Sequence, residues 1–154
     1  MERVVTKVVS GGQTGVDRAA LDVALERGLP CGGWCPKGRM AEDGPLPTRY
    51  PLNETPSDAY RQRTEWNVRD ADGTLVLSVG PVTGGTADTV AYAARLKKPC
   101  LVLDLTQPCR SDDVAAWTRT HQIHILNIAG PRESKSPGIY AQAAVFLRRV
   151  FAAP

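Results

Sequence analysis

The stretch Ser10-Gly11-Gly12-Gln13-Thr14-Gly15 separates a β-branched run at residues 4–9 from a segment with helical spacing at residues 17–27. The run before it is apolar enough to be a buried strand, and its glycines predict a tight turn. Apolar residues recur at three- and four-residue intervals in the segment that follows, and Gly28 stands where a helix commonly ends. The stretch therefore predicts a strand–turn–helix unit of the kind that builds parallel α/β sheets.

The rest of the chain repeats this alternation. Strands are predicted at residues 74–79, 100–105 and 123–128, and helices at residues 58–67, 87–97, 112–120 and 139–151. The pattern predicts a single three-layer, Rossmann-like α/β domain over residues 1–154, with a mostly parallel sheet and helices on both faces. The exception is residues 36–58, where five prolines predict a long loop, and loops of that length are usually functional or form a lid.

The composition of the chain indicates which classes of binding partner to expect. The chain has 154 residues, with 19 basic and 16 acidic side chains and a net charge of +3. So small an excess argues against a nucleic-acid partner but allows a local pocket for an anion. No apolar run approaches the roughly 20 residues of a membrane helix, and the N-terminus lacks the apolar stretch of a secretion signal. We therefore expect a cytoplasmic protein with no membrane partner.

The four cysteines and two histidines predict neither a disulfide framework nor a metal site. A chain of this length can stabilise itself without bridges, so free thiols are expected. His121 and His124 form an HxxH pair, but no acidic or cysteine residue stands close in sequence to complete a zinc site.

The first turn is a candidate ligand site. Its glycines, Gly11, Gly12 and Gly15, let the backbone approach a ligand, and the helix N-terminus behind them offers unpaired N–H groups. Gln13 and Thr14 can add side-chain hydrogen bonds. Ligands of open parallel sheets sit beyond the carboxyl ends of the strands, which favours binding here over a tight turn with no ligand. The turn is neither a Walker A loop nor a GxGxxG motif, so a nicotinamide dinucleotide is not predicted.

Two further loops fall at the same edge of the predicted sheet. Gly84-Gly85-Thr86 opens a helix and offers a second set of backbone donors with a hydroxyl group. The loop after the last strand carries Arg132 and Ser134, side chains suited to a phosphate or another oxyanion. A solvated polar loop is the alternative for that last segment.

Cations and aromatic side chains accompany each other between residues 34 and 66. Aromatic rings beside cations suit a flat heterocycle that carries negative charge. The aromatic residues are Trp34, Tyr50, Tyr60 and Trp66, and the cations are Lys37, Arg39, Arg61 and Arg63. The ligand contacts predicted for the whole chain are Gly11, Gly12, Gln13, Thr14, Gly15, Lys37, Arg39, Gly84, Gly85, Thr86, Arg132 and Ser134.

These segments resemble the molybdenum carrier family, whose members are also called molybdenum cofactor carrier proteins. The similarity runs along nearly the whole chain and is carried by residues 10–22, 33–39, 41–44, 60–68, 72–74, 84–86 and 127–134. It implies a Rossmann-like homo-oligomer, typically a tetramer, that holds the molybdenum cofactor (molybdopterin) without transforming it. That cofactor is a tricyclic pterin with a phosphate at one end and a dithiolene-bound metal-oxo group at the other. Because the dithiolene already holds the metal, no protein ligand to the metal is expected. A carrier that does not transform its ligand also implies no catalytic residue.

The same broad superfamily includes phosphoribohydrolases, sometimes labelled lysine decarboxylases, whose signature PGGxGTxxE carries a catalytic Glu. In the related segment of this chain, residues 83–89, Thr89 takes the position of that Glu. Asp88 is one residue away and is expected to point about 100° aside, since a helix has roughly 3.6 residues per turn. The pattern favours a carrier of a small anionic ligand. A nucleotide-binding enzyme or sensor is the alternative, and an oligomer with a vestigial pocket is a third.

Overall fold

The computed structural model describes residues 3–152, so positions 1, 2, 153 and 154 of the domain expected over 1–154 lie outside the described residues. Its five helices are α1 (Val16–Glu26), α2 (Tyr60–Asp70), α3 (Gly84–Arg95), α4 (Ser111–Thr120) and α5 (Ile139–Val150). The strands are β1 (Lys7–Val9), β2 (Cys31–Gly32), β3 (Trp34–Cys35), β4 (Met40–Ala41), β5 (Gly44–Pro45), β6 (Asn53–Glu54), β7 (Gly73–Ser78), β8 (Cys100–Asp104) and β9 (Ile125–Ala129).

Five of the strands form one sheet in the order β2-β1-β9-β7-β8, and every neighbouring pair is parallel. The register pairs Val8 with Cys31 on one side and with Leu126 on the other. The predicted α/β class with a parallel sheet is therefore confirmed. The first strand is shorter than the β-branched run suggested, because pairing in the sheet begins only at Lys7.

The helices cover both faces of this sheet, as predicted. Helices α1 and α4 pack with α5 on one face, and α2 packs with α3 on the other. Strand β7 is buried along its whole length, in keeping with the apolar run Leu75-Val76-Leu77 at its centre. Within residues 3–152, no helix combines the length and the apolar character needed to span a bilayer.

Residues 36–58, which we call the strap, are ordered despite their prolines. Strands β4 and β5 form a small antiparallel hairpin, and β6 pairs with β3. The strap has an apolar cluster of its own, in which Leu46, Tyr50 and Leu52 pack against Leu21 of α1. Burial of these side chains offsets the entropy of ordering a segment with little regular secondary structure.

The order of the strands positions a cleft. Helix α1 follows β1 on one face of the sheet, and α3 follows β7 on the opposite face, with β9 between the two strands. Chain segments that leave a parallel sheet in opposite directions open a crevice at the carboxyl ends of its strands. The candidate site lies in this crevice.

Candidate functional site

A cleft of about 280 Å³ opens at the carboxyl ends of β1 and β9. The first glycine turn forms one side, the N-terminus of α3 forms another, and the loop after β9 and the first two turns of α2 complete it. The volume lies just below the range of about 300–1,000 Å³ that is usual for small-molecule sites. The site predicted at this edge of the sheet thus corresponds to a real concavity.

The backbone of the first glycine turn is less accessible to a ligand than its three glycines predicted. A Cβ on Gly11 would stand 2.2 Å from Nη1 of Arg63, and one on Gly12 would stand 2.7 Å from the Leu52 side chain. At Gly15 the obstacle is the carbonyl oxygen of Pro131, 2.3 Å away. Glycine is required here because other parts of the protein approach the turn closely. Of this turn's five predicted contacts, Gly11 and Gln13 line the cleft, while Gly12, Thr14 and Gly15 do not.

The second glycine turn is open. Gly84, Gly85 and Thr86 form the first turn of α3, so the helix begins three residues earlier than the sequence predicted. No described side chain caps this end, and a Cβ on Gly85 would meet nothing within 4 Å. All three residues line the cleft. Free N–H groups and the positive end of the helix dipole therefore face a space that an anion can enter.

Four cationic side chains line the cleft: Arg61, Arg63, Arg132 and Lys135. Lys135 belongs to the wall beside Gly84, where its Nζ would lie 2.6 Å from an added Cβ. These charges and the α3 N-terminus surround one volume, which gives the cleft a positive potential.

Two predicted cationic contacts lie elsewhere. Arg39 donates hydrogen bonds to the backbone carbonyls of Pro47, Tyr50 and Leu52, so its guanidinium holds the strap together. Lys37 is exposed on the strap, and neither residue lines the cleft. The role of Arg39 is explained by the folding of the strap on itself, which sequence spacing does not reveal.

A buried ion pair forms one wall of the cleft. Nη1 of Arg63 donates to the carbonyl of Gly11 at 2.8 Å and lies 3.3 Å from the carboxylate of Asp17. The backbone N–H of Gln13 also donates to that carboxylate. Burial raises the pKa of Asp17 from 3.8 to about 6, although the charges of Arg63 and Arg18 favour the ionised form. The Nε of Arg63 is buried and lacks a hydrogen-bond partner among the described residues.

A carboxylate of the protein itself, that of Glu42, brings together Thr14, Arg132 and Ser134. The hydroxyl groups of Thr14 and Ser134 both donate to Glu42, which stands at the tip of the β4–β5 hairpin. Nε of Arg132 lies 3.6 Å from the same carboxylate. Arg132 also lines the cleft, whereas Ser134 does not.

The expected ring of aromatic side chains does not form. Only Tyr60 lines the cleft, with the guanidinium of Arg63 5.1 Å from its ring centroid. Trp34 and Trp66 pack edge to face with each other, 4.8 Å between centroids, and Tyr50 lies in the apolar cluster of the strap. Helix α2 carries two aromatic residues, of which Tyr60 lines the cleft and Trp66 packs against Trp34 instead.

Several lining residues were missed from the sequence. Thr64 and Asn67 lie on the cleft side of α2, four and seven residues after Tyr60. That spacing is the signal that could have found them, since residues three or four apart share one helix face. Asn127 also lines the cleft, from the centre of β9. The sequence signal for Asn127 was a polar residue within an otherwise apolar strand.

Comparison with known proteins places this geometry in a family. Residues 8–151 match the model of the circularly permutated YpsA SLOG family. The chain belongs to this family. The crystal structure of a "putative molybdenum carrier protein" from Syntrophus aciditrophicus is 49% identical in sequence and has a TM-score of 0.94, over 99% of this chain and 98% of that one. The resemblance read from the sequence is thereby confirmed. No curated protein matches the chain.

At the position where the related phosphoribohydrolases carry their catalytic Glu, this chain has no acidic residue. Thr89 stands there, buried, and its hydroxyl donates to the carbonyl of Gly85 at 3.1 Å. Asp88, the residue before it, also lines the cleft, so the expected offset of about 100° between the two side chains does not take Asp88 out of the cleft.

Proposed function

We propose that this chain binds a phosphorylated pterin, the molybdenum cofactor, in the cleft and holds it without chemical conversion. The observation that carries the proposal is the uncapped N-terminus of α3, which faces the four cationic side chains of the cleft. The name of the 49% identical Syntrophus protein supports the choice of a molybdenum-related ligand.

The phosphate is proposed to lie at the start of α3. Gly85 leaves room for it, and the N–H groups of the first helical turn are the natural donors to its oxygens. Lys135 stands beside the same turn, so it adds a positive charge from the loop after β9. Arg63 supports this placement, because a buried guanidinium with an unpartnered Nε in the same cleft favours an anionic ligand.

The ring system is proposed to lie along α2. Tyr60 offers an aromatic ring, and Thr64 lies one turn further along the helix. Asp17 supplies a carboxyl group with a pKa of about 6, so near neutral pH it is mostly ionised and can accept a hydrogen bond. A pterin ring carries N–H donors and a carbonyl acceptor on one edge, which complements such a group.

Holding without conversion is supported by Thr89. Its hydroxyl is already used by the Gly85 carbonyl, and a threonine cannot replace the carboxylate that the related hydrolases use.

A nucleotide is the second candidate ligand, and Asp88 is the observation that favours it. A carboxylate lies next to the position of the hydrolase Glu and at the edge of the same cleft. If it acted on a nucleoside monophosphate, turnover would depend on Asp88, whereas simple binding would not.

Equilibrium binding and turnover assays separate the candidates. We expect the purified chain to bind the molybdenum cofactor more tightly than AMP, and to release no free base from AMP over prolonged incubation. Lys135→Ala should weaken cofactor binding about tenfold, as expected for a lost charged hydrogen bond. Lys37→Ala is the matched control, because Lys37 is an exposed lysine outside the cleft and should leave affinity unchanged. Binding of AMP alone would contradict the carrier proposal.

A further inference from the structure

Three hydrogen bonds and one ion pair of this protein converge on one carboxylate. Oε1 of Glu42 accepts from the Ser134 hydroxyl at 2.5 Å and lies 3.6 Å from Nε of Arg132. Oε2 accepts from the Thr14 hydroxyl and, at 3.2 Å, from the backbone N–H of Ser134. We call these four groups the Thr14–Ser134 nest.

The nest has the composition of an oxyanion site. It combines two hydroxyls, one backbone N–H and one guanidinium, which are the groups that bind phosphate in many proteins. It also stands immediately before α1, whose N-cap residue Gly15 provides no side-chain cap. The positive end of a helix thus adds to the attraction for an anion.

We propose that the Thr14–Ser134 nest is a second oxyanion site, filled in the free protein by Glu42, and that a phosphate group displaces this carboxylate. The proposal does not depend on a pterin ligand. The phosphate group comes either from free inorganic phosphate or from the anionic end of a molecule seated in the cleft, since Arg132 belongs to both places.

Glu42 is placed so that it can leave. It occupies the two-residue tip of the β4–β5 hairpin, and its side chain keeps 24% of its surface exposed. The hairpin is held independently, because Asp43 forms an ion pair with Arg18 at 3.0 Å. The apolar cluster of the strap is also separate from the tip. Rotation of one side chain into water therefore vacates the nest without unfolding the strap.

Glu42 also behaves as a bound anion. Burial by itself would raise the pKa of this carboxyl, but hydrogen bonds from Ser134 and Thr14 and the charge of Arg132 hold it below its usual value. The group is thus ionised at neutral pH. A phosphate dianion brings more charge and a third acceptor oxygen to the same donors, which is why it can compete.

Glu42→Ala tests the proposal, and Asp43→Ala is its matched control. Both remove a carboxylate from the same hairpin tip, but only Glu42 touches the nest. We expect Glu42→Ala to bind inorganic phosphate about tenfold more tightly than the wild type, measured by calorimetry and by the phosphate-dependent rise in Tm. Asp43→Ala should bind phosphate as the wild type does.

Addition of Thr14→Val and Ser134→Ala to Glu42→Ala should abolish the gain. A second titration with AMP distinguishes a free phosphate from one attached to a larger molecule, and a gain with either probe that requires Ser134 supports the site. Should Glu42→Ala fail to fold, Glu42→Gln removes the charge while keeping the shape, and a smaller gain is expected. No gain with either probe, or a gain that survives the loss of Thr14 and Ser134, would overturn the proposal.

Discussion

Nη1 of Arg63 in α2 donates to the carbonyl of Gly11 and lies 3.3 Å from the carboxylate of Asp17 in α1. This contact joins the two faces of the sheet across the end of β1, because α1 and α2 pack on opposite sides. The guanidinium fills the space that a side chain at position 11 would need. Arg63 therefore shapes the first glycine turn in the absence of a ligand.

Gly11→Ala should destabilise the fold. Its methyl group would overlap the Arg63 guanidinium, and overpacking of a buried site costs about 1–3 kcal/mol. Urea unfolding measures the change in the free energy of unfolding. Gly85→Ala is the control, because its Cβ meets no atom within 4 Å. Equal stability of the Gly11→Ala variant and the wild type would show that Arg63 is free to move.

Asp17 should make stability depend on pH. Its pKa is raised by burial from 3.8 to about 6, so the folded protein keeps a proton that the unfolded chain releases. Stability should therefore fall as pH rises from about 4 to 6, by on the order of 2–3 kcal/mol relative to Asp17→Asn. Urea unfolding of both proteins across this range measures the difference. A constant difference between them would contradict the raised pKa.

Much of this architecture was predictable, because it rests on local patterns. The alternation of strands and helices, the helix-ending Gly28 and the position of Gly84-Gly85-Thr86 at the sheet edge all follow from periodicity and turn chemistry. A Cβ at Gly85 would meet no atom within 4 Å, so the backbone of this turn is open, and its role in binding stays a prediction. The first turn was predicted to be open in the same way, but its glycines accommodate the close approach of Arg63, Leu52 and Pro131.

What sequence could not provide were contacts made by the strap. Arg39 resembles any other cation near a glycine turn, yet the carbonyls it binds come together only when the strap folds. Glu42 was not singled out, although it gathers three predicted site residues into one cluster. Long-range contacts within irregular segments leave no periodic signal, so both roles emerge only in three dimensions.

Arg39→Ala should lower stability without changing ligand affinity. Three backbone carbonyls of the strap would lose a charged donor, which costs about 1–3 kcal/mol in partly buried surroundings. Thermal unfolding and cofactor titration measure the two effects separately. A loss of ligand affinity with unchanged stability would contradict this and would show that Arg39 contacts the ligand.

Tyr50 and Tyr140 should resist ionisation. Each hydroxyl donates to the carboxylate of Asp22 at 2.5 Å. Burial, followed by this hydrogen bond, raises the pKa of both tyrosines to about 12. Because the folded pKa lies above the ordinary value, stability should fall as pH rises from about 10 to 12. Ultraviolet titration should show two late-ionising tyrosines that Asp22→Asn shifts to lower pH, and ionisation of all tyrosines together would contradict this arrangement.

Gly85→Ala tests the central claim, that the open N-terminus of α3 holds the phosphate of the ligand. The added methyl group projects into empty space within the cleft, and alanine is the better helix former, so stability should be unchanged or slightly higher. The measurement is calorimetric titration of the wild type and of Gly85→Ala with the molybdenum cofactor. The account predicts affinity about tenfold or more weaker in the variant, with an undiminished free energy of unfolding. Equal affinity in the two proteins would show that the ligand does not approach α3, and would contradict the account.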